Sequence, residues 1–329
     1  GCLVQHAGAR GGLRRAAALA GEGGKRNSIL ACLGGVTVSA GETGQGEEIF
    51  RDLLRKEPQN LSALLGMLTV ALRRGDAVGA KQWLYQARLA GAPQQSLVLG
   101  AAQIEIVGRD YAAARVRLLN LTDKEPKNLD AWVLLSVVMI AQQQLDDVER
   151  LVLPKMEAAA NKQPNAKIYQ VRGDLARARG PAAYQEARDM YRRALKLGAG
   201  WRDVLEILID LDLRMNDLEA AGLDASDLLR VDPGNADGHF VLGSRAVVRG
   251  ELDAAESHLR ASVARDATPQ ALNNLAEVLL RKGAVAEAED TARMAVAKDD
   301  KSAAVWDTLA SVLLKRAKVS DAAEAIGHA

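Results

Sequence analysis

The chain has 329 residues, enough for two ordinary domains or for one long array of repeats. Apolar residues make up 48% of it and aromatic residues only 3%, so alanine and leucine carry the core and favour helices over sheet. The net charge of +1 gives no bias toward nucleic acid, and no apolar run approaches the roughly 20 residues that cross a bilayer.

Residues 1–26 do not follow the pattern of the later chain. Leu13–Ala20 predicts a lone helix and Gly21–Gly24 a flexible linker. The chain starts with Gly1 and Cys2 rather than Met, as a trimmed product would. Cys2 resembles the lipidated cysteine of a bacterial lipoprotein, and we expect membrane attachment only if this cysteine is lipidated. The alternative is an ordinary buried cysteine.

From residue 27 to 329 the sequence repeats about every 34 residues. Each unit predicts two amphipathic helices and a tight turn, as in Asp232–Asp266, where Gly250 marks the break. The units align on a small residue near the start of the second helix, with spacings of 33 or 34 and a single one of 39. These register residues are Gly46, Ala80, Ala114, Val148, Ala187, Ala221, Ala255, Ala288 and Ala322.

The spacing of 39 indicates extra residues near Asn161–Pro164 and Gly180–Ala182, where we expect bulging loops and a local change of pitch. At the other end, Ala329 falls within the second helix of the ninth unit. Terminal repeats need a polar cap, and none is visible. We therefore expect a truncated last unit, and self-association through this uncapped end is a further expectation.

The segment Leu272–Arg316 reads LNNLAEVLLRKGAVAEAEDTARMAVAKDDKSAAVWDTLASVLLKR and resembles paired bacterial tetratricopeptide repeats. The resemblance covers residues 27–329. It implies an all-α, right-handed α-solenoid of about nine helix-turn-helix units. The NNLA and DTLA runs are similar to those in repeat proteins of bacterial exopolysaccharide and secretion systems. That similarity implies the periplasm or the outer membrane, with the cytoplasm as the alternative.

Catalytic signatures are missing from the sequence. It has four histidines and no glycine-rich phosphate loop, HExxH, GxSxG or cysteine pair with metal-ligand spacing. His239 occupies the place held in other units by Trp132 and Trp306, which favours a packed histidine over a ligand. His258 is expected to be exposed on a helix. We expect no enzyme activity, no cofactor and no metal.

The register also predicts a groove lined by the first helix of each unit, at the second, fifth, ninth and twelfth residues of the unit. In the second to fourth units this gives Leu65, Leu72, Leu99, Gln103, Ile106, Val133, Val137 and Ile140. Such an apolar strip fits an amphipathic helix or an extended peptide of a protein partner. Alternatively, these residues pack against neighbouring helices.

The lining then becomes polar. It continues with Lys167, Gln170, Asp174, Arg177, Asp203, Glu206, Asp210 and Asp237. Lys167–Lys196 holds eight basic and three acidic residues, and Trp201–Asp237 ten acidic and three basic ones. These adjacent blocks would steer a charged partner, or else neutralise each other across neighbouring repeats.

The leading hypothesis is a non-catalytic scaffold that holds a protein partner in the groove, in envelope assembly or exopolysaccharide secretion. The alternative is an accessory repeat domain of a larger enzyme, a transferase or an outer-membrane export protein. Direct polysaccharide binding is disfavoured, because sugar platforms use exposed aromatic rings and this chain has few.

Overall fold

The computed structural model describes residues 6–20, 23–198 and 201–329. Every regular element in these residues is helical and none is a strand, so the all-α prediction is confirmed. The chain divides into two compact units, Gly1–Val204 and Leu205–Ala329.

The helices of the first unit are α1 (His6–Leu19), α2 (Gly24–Ser39), α3 (Thr43–Lys56), α4 (Leu61–Arg73), α5 (Ala77–Leu89), α6 (Gln94–Val107), α7 (Tyr111–Lys124), α8 (Leu129–Ala141), α9 (Leu145–Asp147), α10 (Leu153–Ala159), α11 (Ala166–Ala178) and α12 (Tyr184–Lys196). A π-turn, Val148–Val152, joins α9 to α10, and a 3-10 turn, Pro181–Ala183, precedes α12. Helix α13 (Trp201–Arg214) contains the boundary between the units. The second unit continues with α14 (Leu218–Val231), α15 (Ala236–Arg249), α16 (Leu252–Arg265), α17 (Pro269–Arg281), α18 (Val285–Lys298), α19 (Ala303–Lys315) and α20 (Val319–His328).

Within the described residues, nine helix pairs follow one another, from α2–α3 to α19–α20, as the repeat predicted. The register residues lie where the two helices of a pair pack most closely. Gly46 is buried, and a Cβ atom there would lie 2.4 Å from Val38. The other eight, Ala80, Ala114, Val148, Ala187, Ala221, Ala255, Ala288 and Ala322, are each 0% exposed. Only a small side chain fits this contact, so its spacing defines the repeat.

The turn inside each pair has one residue with left-handed backbone, always at the equivalent position. Its φ lies between 58° and 97° in all nine pairs of the described chain, at Gly41, Gly75, Arg109, Gln143, Gly180, Asn216, Gly250, Gly283 and Ala317. In the second pair, the N–H of the next residue, Asp76, then donates to the carbonyl of Ala71 at 2.9 Å, which closes the end of α4. The expected Gly and Asn occur here, but so do three residues that the left-handed region disfavours.

The acid-Pro-x-Asn runs between pairs begin the next first helix. The Asn60 side chain accepts from the N–H of Ala63 at 3.0 Å, and Asn128 and Asn235 cap α8 and α15 in the same way. The Asn60 amide also donates to Glu57 at 2.7 Å. The acid therefore fixes the orientation of the cap.

The five extra residues between Val148 and Ala187 lie in three places. Loop Ala160–Asn165 has six residues where Glu125–Asn128 has four, and turn Arg179–Ala183 has five where Gln142–Gln144 has three. Both loops were predicted. The fifth residue is absorbed by the π-turn, which the spacing did not reveal. The change of pitch stays a prediction.

Helix α1 is the lone helix expected near the N-terminus, and it packs on α2. Helix α2 begins at Gly24, so residue 26 lies inside it rather than before it. Residues 21 and 22 of the expected linker lie outside the described residues, as does Cys2. The division into a segment 1–26 and an array 27–329 stays a prediction.

Candidate functional site

The first helices of neighbouring pairs form a continuous layer in the first unit. Helices α2, α4, α6, α8 and α11 contact one another in that order, whereas contacts between successive second helices of the described chain are fewer. Helices that pack more closely on one side make a stack concave on that side. We call the side chains at the second, fifth, ninth and twelfth positions of the second to fifth repeat units, on α4, α6, α8 and α11, the inner face. Helix α6 begins one residue before its unit, so these are its third, sixth, tenth and thirteenth residues.

The apolar part of the inner face is packed on one side and open on the other. Six of its residues are half-buried and pack against the core beneath them: Leu65, Leu72, Leu99, Ile106, Val133 and Ile140. Val137 is also half-buried, and Gln103 is exposed. The interpretation that these side chains pack against neighbouring helices is therefore supported, and binding of a partner on their remaining apolar surface stays a prediction.

In the fifth pair, Asp174 has a structural role, because its carboxylate accepts a hydrogen bond from within the pair. The Tyr191 hydroxyl donates to Asp174 Oδ1 at 2.5 Å, and Tyr191 is fully buried. Gly173 makes room for that ring, since a Cβ there would lie 2.9 Å from it. Burial raises the pKa of Asp174, against the opposing effects of the Tyr191 hydrogen bond and of Arg177. Burial, and then Asp174 itself, raise the pKa of Tyr191.

The inner-face charges of the fifth pair are partly neutralised. Lys167 Nζ lies 2.6 Å from Asp130 Oδ1, and both stand at the second position of consecutive first helices. Arg177 is exposed and lies 4.0 Å from Asp174, while Gln170 is half-buried. This pair joins α11 to α8, and neutralisation between the blocks Lys167–Lys196 and Trp201–Asp237 stays a prediction.

The predicted acidic positions fall on both sides of the unit boundary, with Asp203 in the first unit and the others in the second. Asp203 is exposed and pairs with Arg73 at 3.3 Å. Asp237 is exposed in the first turn of α15. The remaining two have partners of their own: Arg214 Nε lies 2.7 Å from Asp210, and the Asn235 amide donates to Glu206 at 3.1 Å.

The sequence interpretation missed a recurring ion pair between helix pairs. A basic residue just after, or in the last turn of, a first helix contacts an acid of the second helix in the preceding pair. These contacts are Arg74–Glu47, Arg179–Glu149, Arg249–Glu219, Lys282–Glu256 and Arg316–Glu289. Four of the five acids directly follow a register residue. That adjacency is the signal from which the ion pairs could have been predicted.

Glu289 is the most enclosed member of this set, with a side chain only 5% exposed. Its carboxylate lies 2.7 Å from both Arg316 and Lys318 and 3.0 Å from Arg293. The hydrogen bond from Lys318, helped by the two arginines against the cost of burial, lowers the pKa of Glu289 to about 2. One carboxylate therefore joins α18 to the end of α19.

His239 has the packed role that its position predicted. Its Nε2 lies 3.1 Å from the Pro233 carbonyl, just as the indoles of Trp132 and Trp306 donate to carbonyls six residues upstream at 2.9 and 2.8 Å. If Nε2 carries the proton, Nδ1 must accept one. His258 Nδ1 lies 3.0 Å from it and is then the donor.

The expectation of an exposed His258 is wrong, because its ring is half-buried against His239. Burial, followed by the neighbouring His239 and Arg245, lowers the pKa of His258. The hydrogen bond between the two Nδ1 atoms gives this histidine pair a structural role.

In the part of the chain that the structure describes, no three His, Cys, Asp or Glu side chains are grouped so as to hold a metal ion. No described helix combines the length and apolar character needed to span a membrane. The inner face is the candidate binding surface that the sequence predicts.

Comparison with known families identifies the repeat. Residues 240–303 match the family model of the tetratricopeptide repeat. This segment, which runs from within α15 to the start of α19, is therefore similar to tetratricopeptide repeats. Stacked tetratricopeptide repeats form scaffolds for protein–protein interaction, so the coarse part of the functional hypothesis is supported.

Solved structures with similar folds have low sequence identity. A crystal structure of MamA protein has a TM-score of 0.45 and 17% identity over 50% of this chain and 88% of its own. A tetratricopeptide repeat protein from Parabacteroides merdae has a TM-score of 0.43 and 17% identity over 74% of this chain and 94% of its own. The search of curated proteins found no match.

Proposed function

We propose that this tetratricopeptide-repeat chain is a non-catalytic scaffold that holds a protein partner on the inner face of its first unit. The observation that carries the proposal is the row of half-buried apolar side chains on α4, α6 and α8. Apolar surface on a concave layer suits the apolar side of an amphipathic helix or of an extended segment. Exposed Gln103 and the Lys167–Asp130 pair give this surface polar edges.

The test is a double substitution, Val133→Asp with Val137→Asp. Two carboxylates on the half-buried strip should remove partner capture, because a docked apolar side chain would have to desolvate them. The intact chain and the variant are used as bait in lysate of the native host, and the captured protein is then purified and titrated by calorimetry. The matched control is Val78→Asp, a valine 70% exposed on second helix α5.

The control should bind like the parent, and circular dichroism should show equal helix content in all three proteins. Undiminished binding by the Val133/Val137 variant would rule out the inner face as the docking surface.

The finer proposal places the scaffold in bacterial envelope assembly or exopolysaccharide secretion, in the periplasm or at the outer membrane. It is supported by the similarity of the NNLA and DTLA runs to those of repeat proteins in such systems. Membrane attachment would require a lipid on Cys2, so radiolabelled palmitate should enter the parent and not Cys2→Ser. An unlabelled parent would count against attachment.

The second candidate is an accessory repeat domain of a larger enzyme, transferase or outer-membrane export protein. Reading the complete open reading frame tests it, because a catalytic or export domain would be encoded in the same frame. Self-association through the last helix pair is also proposed, because Leu314, Val319 and Ile326 are exposed there. Light scattering of the chain across a concentration series tests it.

A further inference from the structure

A cavity of about 480 Å³ lies in the fifth helix pair. It is bounded by the end of α10, the loop Ala160–Asn165, the start of α11 and the second half of α12. Its volume falls in the range of small-molecule sites, about 300–1,000 Å³. None of the roles discussed so far involves it.

The two extra loop residues help to build this cavity. Asn161 and Lys162 both adopt left-handed backbone, with φ of 53° and 57°, although neither is glycine. The Lys162 N–H donates to the Glu157 carbonyl at 2.8 Å and the Asn161 N–H to the Ala158 carbonyl at 3.0 Å, so the loop is tied to the end of α10. Left-handed backbone is unfavourable for lysine unless the surroundings hold it, whereas asparagine tolerates it. The lengthened loop thus has a fixed shape, with Lys162 at the cavity.

The charged lining is predominantly cationic. Lys162, Arg172 and Arg193 line the cavity, and Glu157 is its only acid. That acid is already engaged by Arg172 at 2.5 Å. No ion pair to Lys162 or Arg193 is present in the described residues, and Arg193 lies over a tyrosine ring, 5.9 Å from its centroid. Two cations therefore remain available for an anion.

The rest of the lining combines Ile168, Tyr169 and Met190 with the loop residues Gln163, Pro164 and Asn165. Ile168, Tyr169 and Arg172 lie on the side of α11 opposite to the inner-face positions, because residues advance by about 100° along a helix. The cavity and the inner face are thus separate surfaces of the same pair.

We propose that this cavity binds a small organic anion. Lys162 and Arg193 would contact its carboxylate or phosphate, and a planar apolar group would lie against Tyr169 and Met190. Cations beside an aromatic ring favour this combination, because the ring offers stacking surface and the cations offer charge-assisted hydrogen bonds. The volume of about 480 Å³ suits a ligand of metabolite size.

The probe is phenyl phosphate, titrated calorimetrically into the full chain at low salt. We expect saturable binding with one site per chain. The double variant Lys162→Asn with Arg193→Gln should weaken it at least tenfold, and asparagine is chosen because it tolerates left-handed backbone. The matched control is Lys155→Gln, an exposed lysine of α10 outside the cavity, which should bind as the parent does.

Inorganic phosphate and phenol, titrated separately, test the two halves of the site, and each should bind at least fivefold more weakly than phenyl phosphate. Absence of saturable binding, or equal affinity in the Lys162/Arg193 variant, would overturn the proposal. If inorganic phosphate binds as tightly as phenyl phosphate, the proposed contact of a planar group with Tyr169 and Met190 is wrong. Circular dichroism confirms that each variant is folded, and Arg193→Lys, which keeps the charge, should retain more affinity than Arg193→Gln.

Discussion

The turn residue between the two helices of each pair has left-handed backbone because of its position and not because of its side chain. Five of the nine in the described chain are glycine, but Arg109, Gln143, Asn216 and Ala317 take the same φ near 60°. A Cβ atom in this region costs about 1–2 kcal/mol. The packing of the two helices and the bonds that close the first helix therefore impose the conformation on whatever residue is present.

Ala317→Gly is expected to raise the free energy of unfolding by about 0.5–1 kcal/mol, because it removes the Cβ penalty at a φ of 58°. Urea unfolding followed by circular dichroism measures the change. Gly250→Ala, at the equivalent turn with a φ of 75°, is the reverse control and should lower stability by a similar amount. A loss of stability in Ala317→Gly would show that the methyl group has a packing role.

At the scale of the helix, neighbouring pairs are joined by carboxylates that face cations. Glu289 is the clearest case, because three cations from α18 and the end of α19 surround a side chain that is almost fully buried. Its counterparts Glu47 and Glu256 also have a lowered pKa, the first chiefly through Arg74 and the second chiefly through Lys282. Stability at acidic pH therefore depends on these junctions.

The pKa of Glu289 is about 2 in the folded chain, against an ordinary value of 4.5. Its contribution is complete above pH 4.5 and is lost as the pH falls from 4.5 toward 2. Glu289→Gln should lower the free energy of unfolding by about 1–3 kcal/mol at pH 7, because three cations lose their counter-charge. Urea titrations of parent and variant from pH 7 to pH 2.5 should show this difference shrink below pH 4.5. A difference that stays constant with pH would mean that the carboxylate is not the cause.

The sequence predicts those contacts that restrict the size of a side chain, and it predicts contacts between flexible side chains less well. Ala80 and its equivalents could be found because a close helix contact admits only a small side chain, which leaves a trace every 34 residues. Val133 and Ile140 were assigned to the right helix face, but spacing alone does not distinguish a packed side chain from an open one. The pairing of Lys282 with Glu256 joins residues 26 apart through flexible side chains, and its only trace in the sequence is that Glu256 directly follows the register residue Ala255.

At the scale of the molecule, an array of this kind is held together by contacts between neighbours. In the second unit α17 contacts α16, α18 and α19, and the buried residues near α20 belong to a cluster of α17 to α20. Stability in such arrays is approximately a sum of repeat and junction terms, so a defect at one junction should stay local.

Glu289→Gln should therefore speed amide hydrogen exchange in α17–α20 and leave α4–α8 unchanged. Mass spectrometry of peptides from the exchanged chain measures this. Equal acceleration in both regions would instead mean that the 329 residues open as one cooperative body. The Ala317→Gly variant provides the opposite control, with slower exchange expected in α19 and α20.

The π-turn at Val148–Val152 has a consequence for how this chain tolerates changes of length. The π-turn accommodates one added residue within a continuous helix. Counted from the register residue, each later side chain is therefore displaced by one position, or about 100°, from its equivalent in the other second helices. Met156 is fully buried as a result, and Lys155, which stands where a strict count of 34 would place the core residue, is exposed. An insertion has thus changed which residues form the core without breaking the helix. A gain or loss of one codon at this point can therefore leave the fold of the encoded chain unchanged while it changes which residues form the core.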